Sequence, residues 1–230
     1  MTTKQLKKKL NLSDSDMEEI KAAVEKAEKN TSGEIALAIA AESDSYAQWE
    51  LVASGATALI LFLCIFPLSQ QIYSYLSDHF WGIQPWYLSL FFAAVCSMSM
   101  VVLYFLYNIP AIDYLVIPSS VMNRAVTNRA FRHFAQSGVY CTESHSGILI
   151  FVSYFEKQVR VIADAHVSKK ISGDLWKLIA DEISENIQKG DVKSAFISAV
   201  EKCGQILAEN FSSENEKKNE LYDGLVILED

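Results

Sequence analysis

Two long, uncharged runs of apolar residues constrain this 230-residue chain more than any other feature. The first run covers 51–68 and the second covers 88–107. At about 1.5 Å per residue, a helix of either length can cross the roughly 30 Å hydrocarbon core of a bilayer. The sequence therefore predicts a two-helix transmembrane hairpin within residues 49–110. The alternative, a helical hairpin buried in a water-soluble core, is disfavoured because core helices are seldom uncharged over such lengths.

Aromatic and basic residues lie at the expected ends of the two spans. Trp and Tyr concentrate at membrane interfaces because one end of each side chain is apolar and the other polar. Basic side chains beside a span can contact anionic head groups. The predicted membrane-interface residues are Trp49, Trp81, Trp86, Tyr87, Arg124, Arg129 and Arg132.

The distribution of basic residues predicts the orientation in the membrane. No Lys or Arg occurs between Lys29 and Arg124, so the segment joining the spans carries none, whereas basic residues lie on both outer sides. The positive-inside rule then places both outer segments in the cytoplasm. We expect a multi-pass protein of the cell inner membrane, in contact with lipid. Transport is disfavoured because no ionisable residue lies in mid-span.

Composition excludes other classes of function. The chain has 20 basic and 28 acidic residues, a net charge of −8, and a surface that acidic repels nucleic acid. Its four cysteines are far apart in the sequence and include no CxxC pair, so we interpret them as reduced and structural.

Outside the spans, hydrophobic periodicity predicts the elements of one α/β domain. Before the first span, these are a helix over 13–30 with a capping box of Ser15 and Glu18, and a buried strand over 34–41. After the second span, they are a helix over 118–136, strands over 147–155 and 158–164 with a two-residue turn at Glu156 and Lys157, and two amphipathic helices capped by Ser172 and Asp191.

Neither outer part has enough strands to fold alone, so the sequence predicts one domain interrupted by the hairpin. Residues 1–48 supply its first helix and strand, and residues 111–211 supply the remainder. Residues 212–230 are predicted to be a charged tail, whose last residues either dock or stay loose.

The order of these elements resembles the TPM domain family, and most closely its membrane-associated bacterial branch. The resemblance covers about 13–45 and 119–211. It is carried by T-S-G-E-I at 31–35, by G-I-L-I-F-V-S-Y-F-E-K-Q-V-R-V-I-A-D at 147–164, and by two helices that end near N-E-L-Y-D-G-L at 219–225.

This resemblance implies a small mixed sheet flanked by helices, here with a two-helix transmembrane hairpin inserted after the first strand. It also implies links to thylakoid repair, weak acid-phosphatase activity and divalent-metal binding, often calcium. Two positions depart from the family pattern and weaken the transfer of that chemistry: Ser146, beside His145, where many relatives are acidic, and the stretch 164–166, where many have Gly-x-Gly. Most relatives also hold the domain outside the cytoplasm.

Polar residues at the ends of the two hairpin strands form the best candidate metal site. Strand ends of an antiparallel hairpin lie side by side, and Glu34 and Asp174 are expected near the same edge. Carboxylates favour Ca²⁺ or Mg²⁺, whereas two histidines favour Zn²⁺ or another transition metal. The predicted ligands are Glu143, His145, Asp164 and His166.

Three functions are therefore expected from the sequence. The preferred one is a membrane-anchored, non-catalytic interaction or scaffold module that presents a TPM-like domain to a membrane-protein partner. The alternative is a weak metal-dependent phosphatase that uses the four predicted ligands. The third is membrane sensing by the basic helix that follows the second span.

Overall fold

The computed structural model describes residues 3–82, 84–109, 112, 114, 116–212 and 219–229. The chain forms two compact units. The first combines Met1–Asp44 with Ser120–Asp230, and the second is Ser45–Ser119, which encloses the predicted hairpin of 49–110.

The secondary structure follows the predicted order. In chain order, the elements are helices α1 (Thr3–Lys9) and α2 (Asp14–Glu28), strand β1 (Glu34–Ala40), helices α3 (Ala47–Ile65), α4 (Ser69–His79), α5 (Trp86–Tyr107) and α6 (Ser119–Gln136), strands β2 (Gly147–Ser153) and β3 (Gln158–Ala163), helices α7 (Ala165–Lys170), α8 (Gly173–Gln188) and α9 (Val192–Asn210), and strand β4 (Leu225–Leu228).

The strands form one mixed sheet in the order β3-β2-β1-β4. Strand β1 runs parallel to both β2 and β4, while β2 and β3 form the predicted antiparallel hairpin. Both β1 and β2 are buried along their whole length, as expected for strands covered on both faces. The predicted fold class, a small mixed sheet flanked by helices, is confirmed.

Alternate residues of the central strands face two different helical layers. The larger side chains of β1 belong to a core cluster with α2, α8 and α9, which includes Ile35, Leu37, Ile39, Val24, Ile179 and Phe196. The alanines between them face a second cluster, which includes Ala36, Ala38, Ala40, Val126 and Ala130 and is completed by α6.

Strand β4 lies inside the segment that was predicted to be a charged tail. It pairs with β1 from Leu37↔Leu225 to Ala40↔Leu228, and Leu225 is buried. Without β4, one edge of β1 would expose unpaired backbone groups in the middle of the core. Of the two alternatives left open for the last residues of the tail, docking is therefore the one that the structure adopts. Residues 213–218 and 230 of the predicted tail lie outside the described residues.

The N-terminal cap of helix α2 is Ser13, two residues before the predicted Ser15, and the helix spans Asp14–Glu28 within the predicted 13–30. The Ser13 hydroxyl accepts a hydrogen bond from the Asp16 N–H at 3.1 Å, and the Asp16 carboxylate accepts one from the Ser13 N–H at 2.9 Å. The Ser13 hydroxyl also donates to the Asp16 carboxylate at 2.6 Å, and this bond, the bond from the Ser13 N–H and the nearby Lys193 ammonium lower the pKa of Asp16 to about 2. Leu12 and Met17 both pack in the core on either side of this cap, as in a hydrophobic staple. That packing selects Ser13 over the predicted Ser15.

The turn between β2 and β3 is longer than the predicted two residues. Strand β2 ends at Ser153, because the Tyr154 and Phe155 N–H groups donate instead to Ala40 O at 3.0 Å and Ala41 O at 2.9 Å. Residues 154–157 form the turn, and Lys157 has a φ of +52°.

In the second unit, α3 and α5 pack against each other. Phe62 meets Phe92 edge-on with ring centroids 5.6 Å apart, and the Thr57 hydroxyl lies 2.8 Å from the Tyr107 hydroxyl. A 3₁₀ turn at Phe66–Leu68 joins α3 to α4. Helix α4 occupies part of the segment between the two predicted spans.

The surfaces of these helices remain apolar and exposed within the chain. Ala47–His79 and Trp86–Tyr107 are both long and apolar enough to cross a membrane, and only 11% and 6% of their most apolar stretches are buried. Four of the predicted interface residues, Trp49, Trp81, Trp86 and Tyr87, are exposed here. Their contact with lipid stays a prediction.

Candidate functional site

The start of β1, the start of β2 and the end of β3 lie side by side at one end of the sheet, as predicted. We call this end of the sheet the strand-end edge. The Glu34 N–H donates to Ser146 O at 3.3 Å, and the Asp164 N–H donates to Gly147 O at 2.9 Å. Glu34 opposes Gly147 in the register of β1 and β2, and its side chain is fully buried. Backbone pairing thus brings Glu34, Ser146 and Asp164 to the same edge.

One pair of predicted ligands comes together there. His145 Nδ1 lies 3.6 Å from Asp164 Oδ2, with the imidazole exposed and the carboxylate mostly covered. Asp164 caps α7 by accepting the Ala165 N–H at Oδ1, while Oδ2 is buried with no hydrogen-bond donor among the described residues. An imidazole beside a covered carboxylate can hold or relay a proton. His145 has a left-handed backbone, with φ of +50°, which aims its ring at Asp164.

The other two predicted ligands point elsewhere. The Glu143 N–H donates to the Glu220 carboxylate at 3.1 Å, and the Glu143 side chain is exposed. The His166 ring packs edge-on against Phe211, with centroids 5.5 Å apart. Across the described ranges, no three His, Cys, Asp or Glu side chains converge closely enough to hold a metal ion. Asp174 lies in the first turn of α8 and joins no such group.

Serine hydroxyls fix the shape of this edge. Ser144 Oγ donates to Ser32 O at 2.6 Å, and Ser146 Oγ lies 3.1 Å from the same carbonyl. On the other side of the turn, Thr31 Oγ1 donates to Phe211 O at 2.8 Å and accepts the Gly33 N–H at 3.0 Å. The T-S-G-E turn therefore ties the start of β1 to the segment before β2 and to the end of α9.

A second polar cluster, which the sequence analysis missed, lies at the opposite end of the sheet. The Glu156 carboxylate accepts the Ser43 N–H at 2.8 Å and the Ser153 hydroxyl at 2.5 Å. The Ser43 and Ser153 hydroxyls are themselves 2.6 Å apart, and all three residues are buried. This cluster fixes the path of the chain as it leaves β1. The one sequence feature that could have indicated this cluster is Glu156 within the hairpin turn, which is a weak signal.

The predicted interface arginines of α6 do not all face solvent. Arg124 and Arg132 are exposed, whereas Arg129 is partly buried and donates to Glu229 O at 2.7 Å. Nearby, His133 is half-buried, and its pKa is lowered by burial and by the positive charge of Arg129. His133 also lines a cavity of about 70 Å³ with Ser137 and Tyr222, which is too small for a substrate larger than a few waters.

Comparisons with known proteins agree with this architecture. Residues 113–206 match the model of a family described as the TPM domain. Among solved structures, the chain is similar to the NMR structure of the BA42 protein from the psychrophilic bacterium Bizionia argentinensis, with 18% identity over 94% of each chain and a TM-score of 0.55. At that identity the likeness shows the fold. No curated protein matches the chain.

Proposed function

We propose that this chain, whose residues 113–206 match the TPM domain model, is a membrane-anchored, non-catalytic scaffold module. In this proposal α3 and α5 hold the chain in the inner membrane. The domain built on the four-stranded sheet presents its surface to a membrane-protein partner on the cytoplasmic side.

The exposed apolar surface of α3 and α5 is the observation that carries the anchor. Large side chains at the centres of the helices face outward, such as Leu59 at 59% and Met98 at 72% exposure. Water solvates such a surface poorly, whereas a bilayer core solvates it well, and α-helices satisfy their backbone hydrogen bonds internally. Lipid is therefore the environment that this unit fits.

The geometry of the strand-end edge supports a binding role over catalysis. A metal-dependent phosphatase requires several ligands that converge on the ion. Of the four predicted ligands, all within the described residues, His145 and Asp164 approach each other, while the Glu143 side chain is exposed and the His166 ring packs against Phe211. A folded domain without a convergent site still offers surfaces for a partner.

Extraction from bacterial membranes tests the anchor. The full-length chain should resist alkaline carbonate and dissolve only in detergent. Leu59→Arg combined with Met98→Arg should weaken insertion, because each arginine at a span centre costs roughly 2.5–3.5 kcal/mol. Gln48→Arg combined with Gln136→Arg adds the same charge outside the spans and should leave insertion intact. Release of the unmodified chain by carbonate would contradict the anchor.

Labelling of Cys141 tests the cytoplasmic orientation. This thiol is exposed in the sheet-containing unit, whereas Cys203 is fully buried. A membrane-impermeant maleimide should therefore label Cys141 in inverted membrane vesicles and spare it in intact cells. Cys141→Ser measures the background from the other cysteines. Labelling in intact cells would place the domain outside the cytoplasm.

The covered Asp164 Oδ2 beside His145 favours weak metal-dependent phosphatase activity as the second candidate function. In that case Ca²⁺, Mg²⁺ or Zn²⁺ should raise the unfolding temperature of the full-length protein, and Asp164→Ala should abolish the shift and the hydrolysis of an aryl phosphate. Asp174→Ala is the matched control. A scaffold should instead keep cross-linking to its partner after Asp164→Ala and after metal removal.

A further inference from the structure

The outward side of α6 combines an exposed aromatic ring with arginines. Arg124, Asn128, Phe131 and Ala135 follow one another at spacings of four, three and four residues, which places them on one helix face, and all four are exposed. We call these four residues the outer face of α6. Phe131, in the middle of this face, is 56% exposed. The opposite face of the helix packs against the sheet.

Cations lie on both sides of this face. Arg132 is exposed one residue beyond Phe131. On the other side, Arg160 of β3 donates to the Asn123 side chain and to the Thr127 hydroxyl, the latter at 3.2 Å. These bonds hold the Arg160 guanidinium along α6. Arg160 therefore lies beside the outer face of α6, although it belongs to a different element. Arg129, which the sequence predicted to lie at the membrane interface, is partly buried instead.

The positive charge of this region is not neutralised locally. No Asp or Glu occurs between Asp113 and Glu143, in a chain whose net charge is −8. Among the described residues, none of Arg124, Arg132 and Arg160 forms an ion pair. Guanidinium groups without carboxylate partners match phosphate oxygens in both charge and geometry.

We propose that the outer face of α6 docks on anionic phospholipid, with Phe131 inserted at the head-group boundary and Arg124 and Arg132 bound to lipid phosphates. Arg160 contributes positive charge beside them, because its guanidinium also donates to Val159 O and to the Gln158 side chain, each at 2.8 Å. Soluble phosphate would use the arginines but would have no use for an exposed ring between them. An amphipathic surface with basic flanks is the arrangement that binds the interface of anionic membranes. The proposal rests on the membrane anchor proposed above.

Chain connectivity makes such docking feasible. Residues 108–118 separate the end of α5 from the start of α6. Eleven residues reach at most about 40 Å when extended, so α6 is tethered within range of the surface from which α5 emerges. A tether of this length makes docking of α6 on lipid an intramolecular step. It therefore raises the effective concentration of lipid near α6, so that weak contacts suffice.

The test uses the full-length chain in lipid nanodiscs, with an environment-sensitive dye at Asn128→Cys. The cysteines that are not buried are removed by Cys64→Ala, Cys96→Ala and Cys141→Ser, while the buried Cys203 stays. Discs of neutral phosphatidylcholine are compared with discs that contain phosphatidylglycerol. In anionic discs the dye emission should shift to the blue and be quenched by nitroxide-labelled lipid, and 1 M NaCl should reverse both effects. A dye at Asp181→Cys, an exposed position on α8, should not respond.

Charge reversal gives the matched comparison. Each arginine removed should lower the ratio of docked to undocked helix about fivefold, so Arg124→Glu with Arg132→Glu should eliminate the shift. Lys177→Glu with Lys189→Glu changes the net charge equally, on exposed positions of another helix and its end, and should leave the shift unchanged.

Two results would overturn the docking proposal. The first is dye emission that does not change with lipid charge, which would favour an acidic protein segment as the occupant. The second is a blue shift that persists after the arginine reversals. Failure of the chain to enter the discs would instead contradict the anchor. The same probes on vesicles of the same compositions would then still decide whether the outer face of α6 binds anionic lipid.

Discussion

At the scale of single residues, Gly147 shows how closely the chain packs where β2 begins. A Cβ atom at this position would lie 2.2 Å from Val139 O, much closer than atoms in contact allow. The short 3₁₀ turn Val139–Cys141 therefore lies directly on the strand, and Val139 is fully buried. This contact fixes the segment that carries His145 and Ser146.

We expect Gly147→Ala to destabilise the sheet-containing unit by about 1–3 kcal/mol, because the methyl group must displace a backbone carbonyl. Gly173→Ala is the control, since a Cβ there meets no atom within 4 Å and the residue begins α8. It should be neutral or stabilising by about 0.5 kcal/mol. The measurement is urea unfolding of the full-length protein in detergent, read by labelling of Cys203, whose pKa burial raises to about 12. Equal effects of the two substitutions would contradict this packing.

His133 predicts a dependence of stability on pH. Its folded pKa lies below the ordinary value of 6.5, chiefly because of burial, so the unfolded chain binds more protons in the window just below pH 6.5. Stability should therefore fall as the pH decreases through 6.5 toward the lower folded pKa. His133→Asn should flatten this part of the profile. Urea midpoints between pH 8 and pH 5, read with a pyridyl disulfide that reacts with Cys203 in acid, provide the check. An unchanged slope in the variant would assign the dependence to other groups.

At the scale of elements, the sequence predicted those strands and helices whose buried residues form a regular apolar pattern along the chain. Strands β1 and β2 are continuous apolar runs, and α8 and α9 repeat apolar residues at helical spacing, so each element is evident locally. Strand β4 has only four residues, and its partners are far away in the sequence, since Leu225 pairs with Leu37. No local pattern contains that information. Helix α4 was missed because its residues are mostly polar and none is buried.

The sequence predicted which backbone segments of the candidate site lie close together, but not where all of their side chains lie. Antiparallel pairing places the end of β3 beside the start of β2, which made the proximity of His145 and Asp164 foreseeable. Side-chain directions depend on contacts made in the folded chain, and these separate the other predicted ligands. The His166 ring packs on Phe211, which is distant in the sequence, and the Glu143 side chain is exposed.

The N-terminal cap of α2 provides a test that separates two neighbouring serines. Ser13→Ala should destabilise the protein by about 1 kcal/mol, because it removes the side-chain acceptor for the Asp16 N–H. Ser15→Ala should change stability by less than about 0.5 kcal/mol, since Ser15 lies inside the helix. Urea unfolding read at Cys203 distinguishes them. A larger loss for Ser15→Ala would restore the capping box first expected from the sequence.

At the scale of the whole molecule, both ends of the chain complete one sheet. Strand β1 comes from the first fifth of the sequence and β4 from its last residues, with β2 on the other side of β1. The core cluster on one face of the sheet includes residues of α1, α2, α8, α9 and β4. Loss of the last strand should therefore affect the entire unit rather than fray one end.

Truncation of residues 219–230 should leave an edge of β1 unpaired and increase the labelling rate of Cys203 in the absence of urea. A synthetic peptide of residues 219–229 should restore protection by pairing with that edge. The same peptide with Leu225→Asp should fail, because Leu225 is 2% exposed in the core. Full protection of Cys203 in the truncated chain would show that β4 is dispensable.

The central position of β1 also determines the order in which this protein can be made. A ribosome that has completed β1 at residue 40 must still translate both apolar helices before β2 begins at residue 147. At about 5–20 residues per second, β1 waits roughly 5–20 s for its first partner. In the proposed membrane-anchored protein, insertion of the two helices therefore precedes sheet formation, and β4 joins β1 only after β2 and β3 have been made. Under the proposed anchor, the nascent hydrophobic strand must be shielded while the two apolar helices behind it enter the membrane.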